Sequence, residues 1–161
     1  MNLATAAKRA PDSFGISARA FDREDRAEEL GSLVGTCVRE LSRHFDLSRL
    51  DGVTVAYACA QALLDLDRGY QTTVRLTASD THVVGIAMTL SVIRDGTLKS
   101  HVVLNAAFLA PLEDSEHEHF APALHTIAHE CAHVEITHKL DSAFPGFLVR
   151  TLQADARIGY R

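Results

Sequence analysis

Residues 123–134 read Ala-Leu-His-Thr-Ile-Ala-His-Glu-Cys-Ala-His-Val, and at their centre stands His129-Glu130-Cys131-Ala132-His133. Ala121-Pro122 puts a proline in a first helical turn, where the missing N–H is no loss, and the apolar spacing predicts a helix to about Leu140. At about 100° per residue, Leu124, Ile127, Ala128, Cys131 and Val134 fall in one stripe, with His129 and His133 roughly opposite its centre. Two histidines four residues apart on a helix project from one face about a turn apart, so both imidazoles can reach a single metal ion. Zinc accepts that geometry. In a catalytic zinc site three protein ligands leave a fourth position for water, whose pKa the metal lowers to about 7. Glu130 stands where a carboxylate takes the water's proton and passes it to a leaving amine. The bare pattern arises by chance with odds of about 3 in 100 in such a chain, so its amphipathic setting matters more than its letters.

Downstream, Phe144-Pro145-Gly146 ends this helix and allows a second from about Phe147. Upstream, residues 109–120 are acidic and histidine-bearing and read as a surface loop. Before the loop, His82–Ile93 and Thr97–Asn105 are β-favouring runs divided by Asp95-Gly96, the strongest short-range hairpin signal. Thr72–Leu76 reads as a further strand, and Ala60–Leu66 as either helix or strand. Asp51-Gly52 turns the chain into a strand carrying Val53, Val55 and Tyr57. From about Asp25 to Phe45, Leu30, Leu33, Val34, Cys37, Val38 and Leu41 keep helical spacing. Residues 1–22, broken by Pro11 and Gly15, read as a flexible arm, leaving 23–161 as a single domain.

The bulk properties narrow the function. A chain of 161 residues with 47% hydrophobic content can bury one core, which argues against a second domain. Its 16 basic residues against 21 acidic ones are scattered, which argues against nucleic acid as a partner. The three cysteines are an odd number and widely spaced, as expected of reduced thiols. The opening residues lack the apolar run of a signal peptide, and no stretch approaches the roughly 20 apolar residues of a membrane span, so a cytoplasmic protein without a membrane partner is expected.

The run from Ala123 to Val134 resembles the active-site helix of zincin metallopeptidases, and most closely that of the ImmA/IrrE-like group. In that group a threonine, an apolar residue and an alanine precede H-E-x-x-H, as Thr126, Ile127 and Ala128 do here. The likeness covers about residues 98–138. It implies that His129 and His133 bind Zn2+, that Glu130 is the catalytic base, and that the substrate is a peptide or protein. It also implies an edge strand just upstream that receives the substrate backbone; His101–Asn105 is expected in that role, with Asn105-Ala106 like the Asn-Ala pair of thermolysin-like enzymes. Asn105 as a plain strand terminator stays open beside it.

The likeness departs at the third ligand, which in gluzincins is a glutamate on a following helix; no glutamate follows Glu135. Glu135 and His138 fall on the apolar side, away from His133. The metzincin pattern is excluded by Ile136 and Lys139. Asp155, on the face of Leu148 and Leu152, is the remaining candidate, with an arginine ion pair as its alternative use. A ligand beyond Arg161, a lost ligand, and His125 one turn before His129 stay open as well.

The expectation is therefore an α+β, zincin-like fold: an N-terminal helix, a small mostly antiparallel sheet with an edge-strand hairpin, and the motif helix followed by a second helix. The expected reaction is zinc-dependent peptide hydrolysis. The rivals are a non-catalytic zinc-binding sensor and a metal-free interaction domain.

Overall fold

The computed structural model describes residue 11 and residues 14–71 and 85–158, with 154–158 described by backbone alone. The expected strand at 72–76 lies outside these residues. In chain order the elements are β1 (Gly15–Arg19), α1 (Glu24–Leu41), β2 (Leu50–Ala56), α2 (Cys59–Asp65), β3 (Ala87–Arg94), β4 (Thr97–Asn105), α3 (Ala106–Leu109), a 3-10 turn (Ala110–Glu113), α4 (Phe120–Ala143) and α5 (Phe147–Ile158).

The fold is α+β, with a sheet ordered β1-β2-β4-β3. The expectation of a mostly antiparallel sheet is corrected: among the described residues β1 pairs with β2 and β2 with β4 in parallel, and the β3–β4 pair alone is antiparallel. Parallel neighbours need long connections, and the chain supplies them. Helix α1 intervenes between β1 and β2, while α2, the chain that follows it and β3 itself intervene between β2 and β4. A second correction concerns Gly15–Arg19, assigned from sequence to the flexible arm. These residues are a sheet strand, short and exposed on most of its length, so no apolar run announced it.

The hairpin forms as its turn residues dictate. Asp95 and Gly96 take φ of 49° and 72°, the two left-handed positions of a type I′ turn, and Arg94 faces Thr97 across it. Strand alternation then assigns the faces. Thr89 opposes Val102 on one face and Leu90 opposes His101 on the other. Val102, Leu104, Val53 and Val55 build the main core with Leu30, Val34 and Val38 of α1 and Ala123, Ile127, Cys131 and Val134 of α4. Leu90, Val103 and Ala56 meet Ala62 and Leu63 of α2 on the opposite face. Fully burying each such aliphatic side chain stabilises by about 1.5–3 kcal/mol, so the core pins α4 to the sheet.

The polar interior of the α2-side face is a closed chain. Ser17 Oγ lies 2.9 Å from Thr54 Oγ1, which lies 2.9 Å from His101 Nε2. His101 Nδ1 is 3.0 Å from Asp51 Oδ2, and Arg94 Nε donates to Asp51 Oδ1 at 3.0 Å. Burial pulls the His101 imidazole below its ordinary pKa against the opposing pull of Asp51. For Asp51, burial pushes the carboxyl up, but the hydrogen bonds from His101 and Arg94 outweigh it and hold the group low.

Candidate metal centre

Helix α4 runs 24 residues and buries Ala123, Ile127, Cys131 and Val134 against the sheet and α1. The opposite side of the helix carries His125, His129 and His133, all exposed. Glu130 lies between the two sides and is only 6% exposed. These side chains form one wall of an open cavity of about 510 Å³, and Ile86, Ala87, Met88 and Thr89 form the facing wall.

His129 and His133 converge. Their Nε2 atoms are 3.0 Å apart and their rings meet edge to face with centroids at 4.6 Å. Zinc–nitrogen bonds of about 2.0–2.1 Å at a tetrahedral angle put two ligating nitrogens about 3.3 Å apart, so a shift of a few tenths of an ångström would admit the ion. A hydrogen bond between two neutral imidazoles fits the same distance, and its net worth is about 1 kcal/mol. The donor set therefore fits two of the three ligands of a catalytic zinc. Among the described residues no third His, Cys, Asp or Glu completes a group able to hold a metal ion.

Each other candidate has a definite place. His125 lines the cavity one turn before His129, ring centroids 6.3 Å apart. The Asp155 side chain lies outside the described residues; its helix, α5, meets the sheet at β4. His138 turns away toward the connection between α1 and β2, with Nδ1 3.3 Å from Ser48 Oγ and 3.4 Å from Asp46 Oδ2. Glu135 pairs with Lys139, whose hydrogen bond holds the carboxyl below the ordinary glutamate value. Burial, reinforced by the charge of Glu130, pushes the Cys131 thiol up to about 12, so it packs as an uncharged core group.

The expected edge strand is corrected. Strand β4 is interior, paired with β2 and β3, and among the described residues the hairpin strand at the sheet's edge is β3. Asn105 Oδ1 accepts from the Ala107 backbone N–H at 3.0 Å, capping α3, and Nδ2 donates to Gly85 O at 2.9 Å. Ala106 is fully buried. The residue that sequence reasoning missed is Thr89, whose Oγ1 donates to Glu130 Oε2 at 2.6 Å. Its signal was present in the hairpin register: alternation from Asp95-Gly96 sets Thr89 on the sheet face opposite to that of His101.

Among the described residues no helix is long and apolar enough to cross a membrane. A scan against protein-family models and searches among curated proteins and among solved structures return no match to this chain.

Proposed function

We propose that this protein is a zinc-dependent peptidase, with His129 and His133 as ligands, Glu130 as the general base, and the edge of β3, unpaired at Ala87 and Thr89 among the described residues, as the binding site for an extended peptide. The observation that carries this reading is the meeting, in one cavity, of two convergent imidazole nitrogens and a nearly buried carboxylate that no described cation pairs with. Burying a carboxylate costs several kcal/mol, a cost not needed for folding where an apolar residue would pack as well.

Zinc, when bound, supplies a Lewis acid that polarises a carbonyl and acidifies water. The protein's own groups do the rest. In β3 the backbone N–H of Ile93 donates outward to Arg68 O, and Ile86 O accepts inward from Asn105. By alternation, the N–H and C=O of Ala87 and Thr89 also point outward, beside the cavity. A substrate strand adding there gains backbone hydrogen bonds that hold its scissile bond over Glu130. Glu130 removes a proton as the water oxygen's electron pair attacks the carbonyl carbon. The same proton then goes to the amine nitrogen as the C–N bond breaks, leaving a carboxylic acid and an amine; the acid then gives up its remaining proton, the second of the water's two, to the amine or to solvent. The reading keeps Asp155 as the third ligand, supported by its position on the helix that follows α4.

The test is metal analysis of protein purified without added metal, together with cleavage of a mixed peptide library. One zinc per chain and cleavage are expected, with Glu130→Gln keeping the metal and losing at least about 100-fold in kcat. Zinc without cleavage in the wild type would favour a sensor. Near-zero zinc in that preparation at saturating protein would remove both zinc readings.

A further inference from the structure

Thr89 occupies two positions at once. Its backbone belongs to the outward-facing set of the edge strand, and its side chain crosses to α4 on the other side of the cavity. Oγ1 lies 2.6 Å from Glu130 Oε2 and 3.3 Å from the carbonyl oxygen of Glu130 itself. The hydroxyl hydrogen goes to the carboxylate, the nearer and charged acceptor.

Resting on the peptidase reading, we propose that Thr89 is a positioning residue for Glu130: the strand that receives the substrate also aims the base, through one hydroxyl. Three observations carry this. Glu130 is 6% exposed, so few waters can hold its carboxylate, and among the described residues Thr89 is the side chain that does. Threonine is stiff at χ1, so a hydroxyl on a sheet strand is a fixed point rather than a tether. Binding Oε2 restrains rotation of the carboxylate and leaves Oε1 as the oxygen free of this hydrogen bond. The distance from the substrate's backbone contact to the base is then set within one residue, independent of how α4 as a whole settles against the sheet.

A hydroxyl that merely satisfies a buried carboxylate would matter to stability and not to turnover, and kinetics separate the two. Thr89→Val keeps the shape and deletes the donor; Thr89→Ser keeps the donor. Per folded, zinc-loaded molecule, T89V is expected to lose about 10- to 100-fold in kcat with KM within about twofold, because the backbone contact to substrate is untouched. T89S is expected to keep at least about a third of wild-type kcat. Apart from activity, the Glu130 side-chain carboxylate 13C resonance, assigned by its absence in E130Q, is expected to shift in T89V and return in T89S. T89A replaces T89V should the valine variant fail to fold. An active wild type with a fully active T89V, or an equal loss in T89S, overturns the positioning role alone. A zinc-loaded wild type that cleaves nothing overturns the peptidase reading, and this role with it.

Discussion

Two clusters of histidine and carboxylate lie on opposite faces of one sheet, and they differ in how their polar atoms are occupied. Under α2, both nitrogens of His101 are bonded, one to Thr54 and one to Asp51, and Asp51 also receives Arg94. Under α4, His129 and His133 offer their Nε2 atoms to each other across 3.0 Å and otherwise face an open cavity, and Glu130 is held at one oxygen. The closed cluster uses its polar groups to satisfy one another where water is scarce. The open one keeps donors aimed at a common point in reach of solvent, an arrangement that contributes little to stability and fits the capture of a ligand. Residue type alone would not have separated them, since both combine histidine with a carboxylate.

The sharpest way to break this contrast is to remove one histidine from each cluster. His133→Ala is expected to weaken zinc binding by more than about 100-fold while leaving metal-free stability within about 0.5 kcal/mol, since the side chain is exposed. Isothermal titration and thermal melts read the two quantities. His101→Ala is expected to do the reverse, destabilising by about 2–3 kcal/mol through the lost packing of a half-buried ring and one lost hydrogen bond each at Asp51 and Thr54, with zinc affinity unchanged. A stable H101A, or an H133A that melts early, would erase the distinction.

A smaller effect follows from protonation. Burial keeps the folded His101 pKa below its unfolded value of 6.5. Above that pH both states are neutral at this site; below it the unfolded chain takes up a proton that the folded chain resists. Stability should therefore fall as pH drops from about 6.5 toward 5, and less steeply in H101A than in wild type. Asp51, held low, adds its own loss only on further acidification through its folded value. Denaturant midpoints across this range check the slope. The smallest effect belongs to Ser100, whose Oγ is buried and has no partner among the described residues. Neither bonded nor open to water, it is expected to be replaceable by alanine with a change between zero and about 1 kcal/mol of added stability.

The parts of the fold legible in the sequence are those written in local periodicity. Helix α4 was readable because its apolar stripe, Pro122 and the Phe144-Pro145-Gly146 stop all act within a few residues of one another. The β3–β4 hairpin was readable because Asp95-Gly96 admits its left-handed turn. Strand β1 was not, since an exposed edge strand needs no apolar face. The parallel pairings were not either, because they join residues far apart, such as Ile16 with Val53, through register that no local pattern encodes. At the candidate centre the histidines and Glu130 came from one helical turn. Thr89 came from a strand 41 residues away, joined to Glu130 only when helix and sheet pack.

The border of β3 beyond the cavity is covered by the segment around Gly69. Ile93 N–H donates to Arg68 O at 2.8 Å and Tyr70 Oη reaches Ser91 O at 3.3 Å, an approach so close that a Cβ on Gly69 would stand 2.0 Å from Ile93 O. An unguarded sheet border invites strands from other molecules and, through them, aggregation. With the distal half masked, the border of β3 left uncovered among the described residues is the short stretch at Ala87 and Thr89, which limits how many backbone hydrogen bonds any added strand could form there.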